Sequence, residues 1–327
     1  MNANNISIFW EVTSRCNLTC KHCYANSEKT CLQDLELEYI DRVIQQIIDY
    51  KPQFVDISGG EALLRKDIFY ILNKLVQAGL MIHLVTNGIE ANSIDELKKC
   101  NIKRLQISLD GFQDAHEKIR GPNSYDRTIA NLKRYVDVGF DVAVALLITP
   151  YNINEIVNFA RFVKQLGAKK FTAMRFVPLG RGAVHSELQV GPEDLKILYQ
   201  QLRQAQQELG VDFLPIDWAF KCFSNETFDD PSGCEIGQRH IGIKANGDIS
   251  VCPFLPHTFG NIRTDNLKDA WDSIELKKLV ADLDKSLLQG KCTTCPDNIK
   301  QKCGGGCRAI AYHLYGDIHY PDPRCWR

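Results

Sequence analysis

Thirteen cysteines in 327 residues constrain this chain more than any other feature, because they are grouped rather than dispersed. Three of them, Cys16, Cys20 and Cys23, lie near the N-terminus, and seven more lie between Cys234 and Cys325. The odd count and the length of the chain argue against the disulfide framework of a small secreted protein. In a reducing compartment, clustered thiolates are typically metal ligands. The sequence therefore predicts two metal-binding regions.

The overall composition excludes several classes of partner. The chain is 44% hydrophobic and 24% charged, close to the average for globular proteins. A formal net charge of -1 gives no electrostatic reason to expect nucleic acid or an acidic membrane surface as a partner. The N-terminus has no basic region followed by a long apolar run, and no apolar stretch reaches about 18 residues. We expect a cytoplasmic protein without a membrane span.

The first half of the chain alternates between strand-like and helix-like segments. Apolar residues at the spacing of a helix face predict five helices between six strands, one of them over Ile153–Leu166 with Asn152 and Glu155 at its start. Such βαβ units form a parallel sheet, here a partial (β/α)6 TIM-like barrel. The predicted strands are Ser7–Val12, Phe54–Ser58, Met81–Thr86, Arg104–Leu109, Val142–Ile148 and Phe171–Val177.

A boundary is expected after the barrel. The glycine-containing segment Pro178–Gly191 precedes a predicted helix over Glu193–Glu208, and the cysteine-rich region follows it. We therefore predict two domains, residues 1–210 for the barrel with its following helix and residues 211–327 for a cysteine-rich domain.

Unusual residues follow the predicted strands at the same end of the sheet. The cysteine triplet follows the first strand, Gly59-Gly60-Glu61 the second, Thr86-Asn87-Gly88 the third and Asp110-Gly111 the fourth. In parallel sheets, catalytic and ligand-binding residues lie at the carboxyl ends of the strands. The sequence therefore predicts an active site at this edge.

The triplet has the spacing Cys-x3-Cys-x2-Cys within TSRCNLTCKHCYA. Structural zinc normally takes four protein ligands, whereas three cysteines on one loop suit a four-iron cluster with one iron open to an external molecule. The motif and its position after the first strand resemble those of the radical SAM superfamily.

This resemblance implies a cofactor and a reaction. In the family, S-adenosylmethionine chelates the open iron of a [4Fe-4S] cluster through its amino and carboxylate groups. An electron from the reduced cluster cleaves a carbon–sulfur bond, and the resulting 5′-deoxyadenosyl radical abstracts a substrate hydrogen. The methionine amino group is expected to be held by the backbone of Gly59, Gly60 and Glu61 and by the Glu61 carboxylate. The other implied cofactor-binding residues are Tyr24 at the adenine, Asn87, Ser108, Asp110 and Arg175.

The C-terminal cysteines follow the pattern Cys-x12-Gly-x4-Cys, a gap, Cys-x2-Cys-x7-Cys-x3-Cys, a gap and a final Cys. This order resembles the SPASM extension of radical SAM enzymes, although the x7 segment is longer than the usual five residues. The resemblance implies two auxiliary [4Fe-4S] clusters. The ligands implied for the first are Cys234, Cys252 and Cys307. Those implied for the second are Cys292, Cys295, Cys303 and Cys325.

The remaining features of this region leave alternatives open. Cys222 is either the fourth ligand of the first auxiliary cluster or a hydrogen donor, or the fourth iron binds a substrate group instead. A zinc domain with two interleaved sites is the alternative to the clusters. Asn-Gly within ANGDISVCPF predicts a hairpin. Cys100 is expected to be a small buried apolar residue, and Cys31 matches no position of either motif.

The resemblance leaves the reaction open between two branches. We expect modification of a ribosomally synthesised peptide, by crosslinking, epimerisation or backbone excision. The alternatives are decarboxylation or trimming of a haem or haem d1-type tetrapyrrole side chain, with Arg175, Arg181 and Arg308 as candidate partners of its propionates, and a non-catalytic zinc-stabilised scaffold. A first strand so close to residue 6 predicts a separate leader-peptide recognition protein. An electron donor such as ferredoxin or flavodoxin is expected as well.

Overall fold

The structure is a computed structural model that describes residues 6–28, 34–90, 93–216, 234–296, 300 and 303–325. Its centre is an eight-stranded sheet in the order β6-β5-β4-β3-β2-β1-β7-β8. The strands are β1 Ser7–Glu11, β2 Val55–Ser58, β3 Ile82–Thr86, β4 Arg104–Ser108, β5 Val142–Ile148, β6 Lys170–Arg175, β7 His240–Ile243 and β8 Ile249–Ser250. The first six pair in parallel in chain order, as the sequence predicts, and form the partial TIM-like barrel.

Ten α-helices are described, and most of them cover the sheet. They are α1 Leu37–Tyr50, α2 Ile68–Gln77, α3 Ile94–Lys99, α4 Gln113–Arg120, α5 Ser124–Asp137, α6 Ile156–Gln165, α7 Pro192–Leu209, α8 Leu267–Trp271, α9 Ile274–Asp282 and α10 Arg308–Tyr315. In α1, the buried residues Ile40, Val43, Ile44 and Ile47 recur at helical spacing and join the same core as the strands. No described helix has both the length and the apolar character needed to cross a membrane.

The C-terminal third contributes directly to the sheet. Strand β7 pairs in parallel with β1, with Trp10 opposite Ile243, and β8 pairs antiparallel with β7. Gly247, at φ +89°, forms the turn between them, where the Lys244 amide donates to the Asp248 carbonyl. The hairpin prediction is confirmed, whereas the parallel extension of the sheet by β7 was not predicted.

Three other local features differ from the sequence prediction. Asn152 does not cap the following helix, because its side chain accepts from the Thr149 amide (2.9 Å) and donates to the carbonyls of Asp110 and Leu147 (3.1 and 2.7 Å). A 3-10 turn over Ile153–Glu155 comes before α6, which delays the helix start. Helix α4 was not predicted at all.

Candidate active site

A cavity of about 1190 Å³, counting its open mouth, lies at the carboxyl ends of the barrel strands. Cys16, Cys20 and Cys23 all line it. The structure thus brings the triplet together with residues that lie far away in sequence. The other predicted site residues in its wall are Tyr24, Gly59, Gly60, Asn87, Ser108, Asp110 and Arg175.

The cysteine loop is fixed by hydrogen bonds at several points. The Cys16 amide donates to the Glu28 carbonyl (2.7 Å). Arg181 donates from Nε to the Cys20 carbonyl (3.0 Å) and from Nη1 to the Ser27 carbonyl (2.7 Å). The guanidinium of Arg181 therefore holds the loop in place. Arg181 also lines the cavity, so it stays a candidate partner for a substrate propionate.

Burial keeps the thiols of Cys16 and Cys20 protonated at neutral pH until a metal replaces the proton. Burial raises the pKa of Cys20 to about 11 and also raises the pKa of Cys16. Metal binding must then release these protons. Asn87 Nδ2 lies 3.9 Å from the Cys16 sulfur, so an N–H donor is available to stabilise a thiolate there.

Gly59 and Gly60 let the β2 end approach the cysteine loop closely. A Cβ atom on Gly59, at φ +152°, would lie 2.4 Å from the Thr13 carbonyl oxygen. A Cβ atom on Gly60 would lie 2.3 Å from the Arg15 carbonyl oxygen. The amides of Gly60 and Glu61 donate to the carbonyls of Thr13 (2.7 Å) and Arg15 (2.8 Å). Only glycine permits this contact, which sets the position of the loop.

The structure places the Glu61 carboxylate behind the cavity, not in its wall. The side chain is 1% exposed. It accepts from the Thr86 hydroxyl (2.9 and 3.0 Å) and from the amides of Asn87 (2.8 Å) and Leu63 (3.1 Å). Its acceptor positions are therefore taken up by the chain itself. In this structure Glu61 positions Asn87 and the β3 end, and its contact with the methionine amino group stays a prediction.

Asp110 is likewise bound within the protein. Its carboxylate accepts from Arg120 Nε (2.6 Å) and from the Leu147 amide (2.8 Å). Burial would raise the pKa of Asp110, but the Arg120 guanidinium holds it below its usual value. Arg120 itself lines the cavity beside Cys20. Sequence reasoning missed Arg120, because it ends a helix that the polar segment QDAHEKIR does not reveal.

His22 is a second cavity residue that sequence reasoning missed. The residue is half-buried in the cavity wall, and its Nδ1 atom is buried without a hydrogen-bond partner. Burial lowers the pKa of His22 to about 4, so the ring is neutral. Its position inside the cysteine motif, directly before Cys23, was the signal available in the sequence.

Tyr24 lies between the two cysteine groups. Its hydroxyl donates to Glu11 Oε1 (3.0 Å), and its ring meets that of Phe254 edge-on at 5.1 Å. Phe254 follows Cys252 by two residues and also lines the cavity. The C-terminal third therefore supplies part of the cavity wall.

Arg175 connects the cavity to the C-terminal cysteines. Its Nη1 donates to Asp322 Oδ2 (3.2 Å), and the same carboxylate oxygen accepts from the Cys307 amide (3.0 Å). Asp322 is 3% exposed and also pairs with Arg324 (3.0 Å).

The structure places the C-terminal cysteines in two groups. Cys234, Cys252 and Cys307 pack around one small apolar cluster that includes Ile236 and Ala309. Cys292 interacts electrostatically with Cys295, Cys303 and Cys325. Cys100 is 2% exposed, which confirms its predicted burial. Cys31 and Cys222 lie outside the described residues.

Comparison with known proteins identifies both regions. A model of the radical SAM superfamily matches residues 10–163, and a model of the SPASM iron–sulfur cluster-binding domain matches residues 234–296. The chain carries a radical SAM domain followed by a SPASM domain. Iron–sulfur clusters and S-adenosylmethionine are its cofactors.

Proteins similar to this radical SAM–SPASM chain include members of both branches. An AdoMet-dependent heme synthase of Methanosarcina barkeri is 28% identical over 97% of this chain and 95% of its own length. The mycofactocin maturase MftC of Mycolicibacterium smegmatis is 26% identical over 98% of this chain and 82% of its own length. Streptococcus suis SuiB bound to the precursor peptide SuiA has the same fold, with a TM-score of 0.80, 19% identity and coverage of 98% of this chain and 76% of SuiB.

The residues of the radical SAM domain fit its cofactors. Three thiols share one wall of the cavity, the glycine pair exposes backbone there, and His22 Nδ1 is a buried polar atom without a partner in the protein. The carboxylate of S-adenosylmethionine suits the Arg120 guanidinium. Its adenine suits the neutral His22 imidazole and the aromatic side chains of the wall.

Proposed function

We propose that this protein modifies a ribosomally synthesised peptide by radical chemistry, forming a crosslink, an epimer or an excised backbone. When bound, the cluster at Cys16, Cys20 and Cys23 and S-adenosylmethionine supply a 5′-deoxyadenosyl radical. The chain binds and orients the cofactor through Gly59, Gly60 and the residues around them. It also excludes water from the cavity floor.

The observation that carries this choice is the charge of the cavity wall. Arg175 is paired with Asp322, and Arg181 is bonded to two backbone carbonyls. Arg120, the remaining arginine of the described wall, is paired with Asp110 at the cysteine end. Of these three guanidiniums only Arg181 has no described carboxylate partner, so a tetrapyrrole with several carboxylates would find one unpaired cation in this part of the wall. A peptide segment without acidic groups needs none.

The wall beyond the arginines is mainly apolar. Leu147, Met174, Phe176, Val177 and Phe254 line it. These side chains suit hydrophobic or aromatic peptide residues, which would bury apolar surface against them. The fold shared with SuiB, which was captured with its precursor peptide, supports a peptide substrate as well.

The proposal includes two protein partners and the cluster ligands. A separate protein recognises the leader peptide, and a ferredoxin or flavodoxin supplies the electron for each cleavage. Cys234, Cys252 and Cys307 hold the first auxiliary cluster, with Cys222 as its fourth ligand or as a hydrogen donor. Cys292, Cys295, Cys303 and Cys325 hold the second.

Tetrapyrrole side-chain chemistry is the second candidate. The similarity to the heme synthase of M. barkeri, which extends over 95% of that protein, favours it. The two candidate functions require substrates of different charge in the cavity. Assays with a peptide and with a tetrapyrrole therefore distinguish them.

The test uses reconstituted, reduced enzyme with S-adenosylmethionine and a precursor peptide encoded beside its gene. We expect a mass change in the peptide and formation of 5′-deoxyadenosine in proportion to it. A Cys20→Ala variant is the control and should give neither. Turnover of a sirohaem-derived tetrapyrrole, with no change in any neighbouring peptide, would overturn the proposal.

A further inference from the structure

Arg308 is a buried arginine that no described carboxylate neutralises. It is 1% exposed and is the first residue of α10. Nε donates to the Gly306 carbonyl (3.2 Å), and Nη1 donates to the carbonyls of Ile318 (2.7 Å) and Tyr320 (2.9 Å). Nη2 has no hydrogen-bond partner. An isolated buried cation costs several kcal/mol, so its retention calls for a compensating negative charge.

The position of Arg308 indicates where that charge lies. Arg308 follows Cys307 directly in the sequence, and Cys307 packs with Cys234 and Cys252 around the same apolar cluster. The Arg308 guanidinium acts electrostatically on Cys234 from the first predicted auxiliary set and on Cys292 from the second. The side chain therefore lies within electrostatic reach of both sets. Its burial also excludes the role of a propionate partner that the sequence suggested.

The glycine triplet Gly304–Gly306 closes over this side chain. All three residues have positive φ, between +60° and +80°. A Cβ atom on Gly305 would lie 2.6 Å from Arg308 Nη2, and one on Gly306 would lie 2.4 Å from the Asp322 Cβ atom. The backbone between Cys303 and Cys307 can follow this path only because it carries no side chains there. The loop that joins the two cysteine sets is thus built around the guanidinium.

We propose that Arg308 is the shared internal counter-charge of the two auxiliary clusters and raises the reduction potential of both. The inference rests on the proposed cluster ligands and not on the identity of the substrate. Thiolate-bound clusters carry net negative charge, and each added electron increases it. A fixed cation nearby stabilises the reduced form more than the oxidised form.

The test compares Arg308→Gln with Arg308→Lys in the full-length protein loaded with iron and sulfide. Iron content is measured first, and the midpoint potentials are then followed by EPR during a redox titration. We expect Arg308→Gln to lower the midpoint potentials of both auxiliary clusters by at least about 59 mV. For a one-electron couple this equals a tenfold fall in the ratio of reduced to oxidised cluster at a fixed potential. Arg308→Lys, which keeps the charge, should stay near the wild type.

Two internal references separate charge from packing. The potential of the N-terminal cluster should not change in either variant. Arg263→Gln removes another C-terminal arginine, one that pairs with Glu36, and should leave all potentials unchanged. If Arg308→Gln loses its auxiliary iron, Arg308→Lys must retain it at potentials near the wild type. Loss of iron in both variants, equal shifts in both, or no shift in Arg308→Gln would overturn the proposal.

Discussion

Replacing Gly60 with alanine should displace the cysteine loop, because the new Cβ atom would lie 2.3 Å from the Arg15 carbonyl oxygen and 2.9 Å from that of Ser14. Ordinary van der Waals contact needs about 3.5 Å, so the loop must move by about 1 Å. Overpacking of this kind costs about 1–3 kcal/mol, and a misplacement of about 1 Å at a reacting site costs about a hundredfold in rate. We expect S-adenosylmethionine affinity and methionine formation to fall about 10- to 100-fold.

The assay measures equilibrium binding of S-adenosylmethionine to reconstituted protein and the rate of methionine formation after reduction. Gly191→Ala is the matched control, because Gly191 has φ -73° and the nearest atom to an added Cβ is Asp194 Oδ2 at 3.8 Å. Auxiliary iron should be retained in both variants. If Gly60→Ala bound and cleaved the cofactor as well as Gly191→Ala does, the close approach of the glycine pair would not position the cysteine loop.

Two further substitutions test the surroundings of the cavity. Glu61→Gln should lower the free energy of unfolding by about 1–3 kcal/mol, because its amide group must face at least one of the N–H or O–H donors that now point at the carboxylate. Urea unfolding of the variant and of the wild type measures this difference. An unchanged urea midpoint would contradict the hydrogen bonding of the buried carboxylate. His116 accepts a hydrogen bond from the Asp110 amide (3.1 Å), and burial, with Arg120 as the next cause, lowers the pKa of His116 from 6.5 to about 4. The unfolded chain then binds the proton first as pH falls, so stability is complete above pH 6.5 and is lost towards pH 4, by about 1.4 kcal/mol between pH 7.5 and 5.5. His116→Asn keeps an acceptor for the amide and should lose the His116 share of this pH dependence while the share of His22 remains, whereas equal pH slopes in both proteins would refute the assignment.

The barrel was predictable because its signals are local. Strand Val142–Ile148 has the predicted bounds, since seven consecutive apolar residues suit a strand buried on both faces. Helix α7 differs from its prediction by one residue at each end. In contrast, the residues of α4 are mainly polar, and only Ala115, His116 and Ile119 are buried, so no periodic pattern identified it.

The missed features depend on contacts between distant parts of the chain. The pairing of β7 with β1 joins residues more than 230 positions apart, which periodicity within one segment does not reveal. Asn152 has the residue type of a helix cap, but the carbonyls of Asp110 and Leu147 compete successfully for its side chain. The direction of the Glu61 carboxylate was likewise decided by donors at the end of β3.

The central claim is that the N-terminal thiols hold a cluster with one iron open to S-adenosylmethionine. The most direct measurement is the iron, sulfide and zinc content of anaerobically purified wild type and of a variant with Cys16, Cys20 and Cys23 all replaced by alanine, together with cofactor cleavage by each. We expect the variant to lose about four irons per chain and all methionine formation while its C-terminal iron remains. Zinc in place of iron, or cleavage that survives the triple replacement, would contradict the account.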